Sequence, residues 1–298
     1  MDAREKRQGR FRLVIQVLAA ALMNGYAAGF AGGKLFTGAS KAICVPVLNC
    51  YSCPGALGAC PIGSLQAVIG GRRYDFSFYV IGLVMLFGLV LGRVICGFLC
   101  PFGLVQDLLH RIPAPRLRVP RRLDRGLRRT KYAVLIVFVV LLPMLLTNRY
   151  GMGAPYFCKL ICPAGMLEGA VPLLAMNESL RAGLGALFGW KTLVLAAVVV
   201  LSVVIHRPFC KYLCPLGALY GLFNRFALYR ISVDGAKCTG CGKCSRVCPM
   251  DVDVTAEPNS AECIRCGKCA ATCPTGAVKC GFGCGDKAEK EEKPAGIR

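Results

Sequence analysis

The chain has 298 residues, 55% of them hydrophobic, with 37 Lys and Arg against 16 Asp and Glu and with 20 cysteines. That apolar content excludes a disordered chain, and the length and long apolar runs exclude a small secreted disulfide scaffold. A lone soluble enzyme fits poorly with a mean hydropathy of +0.53, which leaves a membrane protein carrying a cysteine-bound group.

In chain order, four apolar runs approach the roughly 20 residues that a helix needs to cross a bilayer. They run from about Leu13 to Phe30, from Phe76 to Cys96, from Tyr132 to Thr147 and from Leu187 to Ile205. The first lacks a small-residue cleavage site and reads as a retained anchor rather than a signal peptide. Arg93 is the only charge in the second, and Pro143 near the end of the third is a tolerable kink. Residues 1–12 hold five Lys and Arg, and the stretch from Arg111 to Lys131 holds nine. The loops 34–75 and 148–186 hold four and three. Basic segments stay in the cytoplasm, so both termini are expected inside and those two loops outside. The +21 charge is then mainly a topology signal. Nucleic-acid binding is not expected, because the basic loop flanks spans and lacks interleaved aromatics. Trp190, Tyr132 and Tyr150 sit near span ends as interface anchors.

Cysteines follow these runs in a repeated pattern. Cys96 and Cys100 form C-G-F-L-C-P-F-G, Cys158 and Cys162 form C-K-L-I-C-P-A-G, and Cys210 and Cys214 form C-K-Y-L-C-P-L-G. A degenerate copy after the first run is Cys60-Pro61-Ile62-Gly63, with Cys53 seven residues upstream. Each copy continues alike, as GSLQAV, GLVQDLL, GMLEGAV and GALYGLF. Run, C-P-x-G and short apolar helix thus occur four times, an internal repeat. The expected topology places Cys96, Cys100, Cys210 and Cys214 at the inner face and Cys53, Cys60, Cys158 and Cys162 at the outer face. Each face then offers four thiolates, the number one cubane needs. The inner pairs also suit zinc or a thiol relay, and the outer pairs also suit disulfides in an oxidising compartment. Cys50 is able to replace or supplement Cys53, and Cys44 is left over.

From about Ile231 the apolar runs stop. Cys238, Cys241, Cys244 and Cys248 read C-x-x-C-x-x-C-x-x-x-C-P, and Cys263, Cys266, Cys269 and Cys273 repeat it 25 residues later. This is the bacterial two-cluster pattern, in which three close thiolates hold one [4Fe–4S] cube and the fourth ligates the other. Cys238, Cys241, Cys244 and Cys273 are assigned to one cluster, and Cys263, Cys266, Cys269 and Cys248 to the second. Zinc prefers two C-x-x-C pairs, and a cytoplasmic site disfavours disulfides. Cys280 and Cys284 follow without an assigned role. Only His110 and His206 are present, so transmembrane bis-His haem b is not expected, and no C-x-x-C-H attaches haem c. Neither Walker A nor a strand-borne G-x-G-x-x-G appears, and Thr37-Gly38-Ala39-Ser40 is a weak match to a covalent flavin site. His206 is either an interfacial histidine or a donor to cluster sulfur.

With the pairs at 96–101 and 210–215 and the C-terminal double motif, the chain resembles the NapH/NosR-type membrane polyferredoxins over roughly residues 76–280. That resemblance implies electron transfer between the quinone pool or a cytoplasmic donor and an extracytoplasmic reductase. The string N-C-Y-S-C-P-G-A-L-G-A-C-P at 49–61 and the pair Cys158/Cys162 depart from the nitrate-reductase type. A flavin-binding extracellular domain like that of the nitrous-oxide regulators is not expected from these residues. The expected fold is an all-α membrane bundle of about four transmembrane helices over 1–230, an α+β ferredoxin domain over 231–280 and a charged tail over 281–298. The expected role is a multi-pass inner-membrane relay with two [4Fe–4S] clusters in the ferredoxin domain and one or two more in the bundle. Its partners are the lipid bilayer, redox proteins and quinone. A membrane redox sensor or a metalloenzyme maturation factor is the alternative. No catalytic acid, base or nucleophile is evident.

Overall fold

The computed structural model describes residues 3–71, 77–117 and 119–283, so Cys284 and most of the charged tail lie outside the described residues. The first helix, Ala3–Met23, begins in the basic segment, and its apolar half is only the stretch after Arg12. It stops at Asn24, and a second short helix, Ala27–Gly32, follows. The second apolar run forms Phe78–Leu91 and then turns at Gly92, whose φ of +56° glycine adopts without strain. Its 14 residues span about 21 Å, short of a hydrocarbon core about 30 Å thick. The third run continues from a basic helix, Arg121–Val134, through a π-helical stretch, Leu135–Leu141, into Leu142–Leu145. The widened stretch lies just before Pro143, whose ring would clash with the i−4 carbonyl of a regular helix. The fourth run is the helix Ala186–Val204.

Among the described residues, Ala186–Val204 is the one helix both long and apolar enough to cross a bilayer. The helical expectation is met, but four such helices are not. The first run breaks after Met23 and the second turns at Gly92, while the third continues a basic helix through a π-helical stretch without a break. Each run nevertheless exposes large apolar side chains: Leu18 and Leu22, Phe78 and Leu86, Ile136 and Leu145, Leu193 and Val200.

After residue 228 the chain changes character. Strand β1, Tyr229–Val233, pairs antiparallel with β2, Val278–Phe282, with Ile231 opposite Cys280. Between them lie two short helices, Lys243–Arg246 and Lys268–Thr272. Gly242 and Gly267 precede them in the left-handed region, at φ +65° and +77°, where the chain folds back around the cysteines.

A buried polar latch fixes this domain on the helices. The fully buried Arg93 donates to Ala261 O at 2.7 Å, to Glu262 Oε2 at 3.1 Å and to Cys210 O at 3.2 Å. Lys131, also fully buried, donates to both Glu262 oxygens at 2.5 and 2.6 Å. Asn224 Nδ2 donates to Ser260 O and Cys263 O, and Arg265 donates to Leu91 O and Asn224 O. The N-terminal helix joins the same end, with Gln8 donating to Cys266 O and Arg12 to Gly97 O. Asp107 neutralises this end. It accepts from Arg12, from Gln16 at 3.1 Å and from Arg207 at 2.6 and 2.7 Å, and these guanidiniums hold its carboxyl far below the usual carboxylate range.

Candidate metal centres

The C-P-x-G motif has one geometry wherever it occurs. Cys60, Cys100 and Cys214 are N-caps, each followed by proline at the first helical position, where the missing N–H costs nothing. Cys162 stands likewise before the helix over residues 163–176. In all four copies the amide three residues on, that of Gly63, Gly103, Gly165 or Gly217, donates to the cysteine sulfur. A helix N-terminus with its free N–H groups favours a thiolate there. The upstream cysteines Cys96, Cys158 and Cys210 lie in single-turn helices, Val94–Phe98, Tyr156–Leu160 and Pro208–Tyr212.

Two groups of four thiols result. Cys96, Cys100, Cys210 and Cys214 are all buried, and their charges act on one another. Burial raises the thiols of Cys100, Cys210 and Cys214. Gln106 Nε2 donates to Cys210 Sγ at 3.0 Å, and the buried cations Arg207 and Arg93 favour the Cys210 thiolate. In the second group Cys162 is raised by burial and by Cys158, Cys50 and Cys60. Burial pushes Cys60 up to about 12 and Cys50 to about 11. Gln66 Nε2 donates to Cys158 Sγ at 3.3 Å. Cys53, named from sequence, is buried nearby with its thiol on Asn24 Oδ1 at 3.4 Å. Cys44 is buried in the bridge to Ala59. The two groups belong to one continuous hydrophobic core. Tyr220, fully buried and donating to Pro46 O at 3.0 Å, lies between them, within reach of the charges of Cys96 and Cys100 and of Cys44 and Cys60.

The ferredoxin cysteines also separate into two groups, those the 25-residue repeat implies. Cys238, Cys241, Cys244 and Cys273 line one cavity with Thr239 and Thr275. Cys263 is raised to about 12 by burial, with Cys266, Cys248 and Cys269 adding to it. Cys280 hydrogen-bonds to Cys269, so its thiol faces this small core. The first of these groups is the outer one, because Cys241 is exposed. The second packs into the core of the helices through Cys266 and Cys248.

Every described cysteine is free. Among the described residues, no three His, Cys, Asp or Glu side chains stand close enough to share one metal ion. Zinc needs four donors about 2.0–2.3 Å from a single ion. A cubane spreads its four thiolates over separate irons, so it does not require all four on one ion. Thiols whose ionisation burial opposes, with amides on their sulfurs and the guanidiniums of Arg93 and Arg207 on the neighbouring carbonyls of Cys210 and Cys96, fit an iron–sulfur core that supplies the missing positive charge.

Comparison with known proteins supports that chemistry. A 4Fe–4S binding domain model matches residues 73–120 and 187–232, and a 4Fe–4S dicluster domain model matches 230–274. The methylamine utilization ferredoxin-type protein MauN of Paracoccus denitrificans is 35% identical over 172 residues, covering 57% of this chain and 52% of that protein. The ferredoxin-type protein NapH of Haemophilus influenzae is 31% identical over 188 residues, 61% of this chain and 57% of that protein. The chain is a NapH/NosR-type 4Fe–4S ferredoxin-like protein. The putative electron transport protein YccM of Escherichia coli is 29% identical over 177 residues, 56% of this chain and 44% of that protein. The chain therefore spans about half the length of these relatives. No solved structure matches it. In this ferredoxin-type chain the matched segments contain Cys96, Cys100, Cys210 and Cys214, and they do not extend over Cys50–Cys60 or Cys158–Cys162.

Several site residues carry no motif. Arg93, Arg207, Asp107 and Glu262 are visible only once the helices are packed. His206 faces Asp107 Oδ1 at 3.2 Å rather than a cysteine, and burial lowers its pKa to about 4. The glutamines had a signal, the aligned column Gln66, Gln106, Glu168 and Tyr220, six residues after each C-P cysteine.

Proposed function

We propose that this protein is a membrane-bound iron–sulfur electron relay. Two [4Fe–4S] clusters sit in the ferredoxin domain, on Cys238, Cys241, Cys244 and Cys273 and on Cys263, Cys266, Cys269 and Cys248. A third sits on Cys96, Cys100, Cys210 and Cys214. Bound clusters supply one-electron carriers, and the protein supplies ligands, burial and hydrogen bonds that set their potentials.

One observation carries the reading. A Cβ added to Gly97, inside the Cys96–Cys100 loop, would lie 2.4 Å from Ile264 O, inside the Cys263–Cys266 loop. Two ligand loops from distant parts of the sequence thus meet backbone to backbone, held by Arg93, Glu262 and Lys131. Electron transfer falls steeply with distance, so such an approach suits transfer between the ferredoxin domain and the helical domain. The outward group with exposed Cys241 suits a protein donor or acceptor in the cytoplasm. Exposed apolar side chains on all four runs and the basic segments at 1–12 and 111–131 support placement in the cell membrane with both termini inside. Quinone and an extracytoplasmic reductase are partners that the family resemblance implies.

The test is iron and acid-labile sulfide on anaerobically purified protein, with Cys214→Ala beside it. Wild type is expected to hold at least about twelve irons, and Cys214→Ala to lose about four while keeping both ferredoxin clusters. About eight irons in both proteins would sink the third cluster and the relay with it.

A further inference from the structure

We infer that the helical domain holds a second cubane site, formed by Cys50, Cys60, Cys158 and Cys162, with Cys50 and not Cys53 as the fourth ligand. This rests on the relay reading and extends it, since the matched family segments do not reach these residues.

The assignment comes from a pseudo-twofold relation between repeats. The second and fourth repeats build the Cys96/Cys100/Cys210/Cys214 group, and the first and third are related in the same way. Gln106, six residues after Cys100, donates to Cys210, the upstream cysteine of its partner repeat. Gln66, six residues after Cys60, donates to Cys158, again the upstream cysteine of its partner. The reverse contacts then identify the upstream cysteine of the first repeat. Tyr220, six residues after Cys214, places its hydroxyl on Pro46 O and lies in the field of the Cys96 thiol without a hydrogen bond to it, so the contact itself is seen only between the third and first repeats. Glu168, six residues after Cys162, accepts the backbone N–H of Cys50 at 2.7 Å. Cys50 therefore stands where Cys96 stands in the other group.

The glycines agree independently. A Cβ on Gly63 would approach Cys158 Sγ at 3.9 Å, and a Cβ on Gly165 would approach Cys50 Sγ at 3.7 Å. In the first and third repeats the motif glycine thus faces the upstream cysteine of the other repeat, and for the first repeat that cysteine is Cys50; Gly103 and Gly217 meet Arg207 and Cys210 O instead. Cys53 has no such counterpart, because its thiol is turned to Asn24. Sequence spacing hid this. Ten residues separate Cys50 from Cys60 instead of four, and the single-turn helix of the other copies is replaced by a turn in which Cys53 N donates to Cys50 O.

The chemistry of the site suits a cluster over a disulfide. Two buried thiols, Cys60 and Cys162, and two half-buried ones, Cys50 and Cys158, converge, with a glycine amide on Cys60 and another on Cys162 and a side-chain amide on Cys158. Donors aimed at sulfur stabilise thiolate charge, which a disulfide lacks. With Tyr220 packed between the two groups, the site extends the row of clusters beyond the third, away from the ferredoxin domain.

The test is iron and sulfide content with EPR on the full chain purified anaerobically, as wild type, Cys50→Ser and Cys53→Ser. About sixteen irons are expected in wild type and in Cys53→Ser, and about twelve in Cys50→Ser with the ferredoxin signals unchanged. If Cys50→Ser fails to fold, Gln66→Leu in its place is expected to shift the potential of one cluster signal and leave the others fixed. About twelve irons in wild type, with a Cys50–Cys158 or Cys60–Cys162 disulfide in non-reducing peptide maps, overturns the site and leaves the three-cluster relay standing. Loss of iron in Cys53→Ser but not in Cys50→Ser overturns the ligand assignment. About eight irons in wild type overturns the relay itself.

Discussion

Replacing Glu262 with glutamine removes the anion that Arg93 and Lys131 share in the latch between the ferredoxin domain and the helices. Its carboxylate sits between Arg93 and Lys131, whose side chains have no exposed surface. Breaking a buried ion pair costs about 3–5 kcal/mol, because a charge is left without its partner. Arg93 keeps Ala261 O and Cys210 O, so its loss is partial. Lys131 loses the balancing charge and one of the two Glu262 oxygens that are the acceptors shown for its ammonium, and keeps the glutamine oxygen. The lower end, about 3 kcal/mol, is therefore expected, or roughly a 150-fold rise in the opening of this interface. Hydrogen exchange of the amides over residues 260–266 measures that opening directly. Adding Lys131→Met to Glu262→Gln removes the stranded ammonium and is expected to restore much of the protection. Unchanged exchange in Glu262→Gln, or additive losses in the double variant, would refute the latch as the element holding the domain in place.

Three further outcomes follow from the same geometry. Gln106→Leu removes a donor to Cys210 sulfur, so the third cluster is expected to titrate up to about 40 mV more negative while the ferredoxin clusters do not move, read by EPR redox titration. Gly97→Ala drives a methyl into Ile264 O. The two ligand loops must then separate, at about 1–3 kcal/mol, and thermal stability and intercluster transfer are expected to fall together without loss of iron. His206 is held neutral, with its pKa near 4 against an ordinary 6.5, so the unfolded chain binds the extra proton between those values. Stability from this group rises with pH over that window, by at most about 3 kcal/mol, and denaturant titrations of His206→Gln are expected to show a flatter acid limb.

The sequence made the cysteine chemistry legible because cluster ligation is local. Three thiolates on one short loop have fixed spacing, and a C-P-x-G motif writes an N-cap, a proline and a donating amide into four residues. Helical character was equally legible from the apolar runs. Helix continuity was not. Gly92 reads as one small residue in an apolar stretch, but it turns the chain because Asn224 and Arg265 leave no room for a side chain there. Asp107, Arg207 and Glu262 were invisible for a related reason. A buried charge is recognised by its partners, and those lie 95, 100 and 131 residues away. The column Gln66, Gln106, Glu168 and Tyr220 lay between these cases. The alignment of the repeats exposed it, and only the packed structure gave it meaning.

The most direct measurement is the EPR spectrum of the fully reduced protein beside that of Cys214→Ala. Paramagnetic clusters in contact broaden and split one another, and this effect fades quickly with distance. A cluster on Cys96, Cys100, Cys210 and Cys214 next to the one on Cys263, Cys266, Cys269 and Cys248 is expected to give a third signal coupled to the ferredoxin signals. Both the signal and the coupling should vanish in Cys214→Ala. Ferredoxin spectra identical in the two proteins, with no third signal in wild type, would contradict the relay.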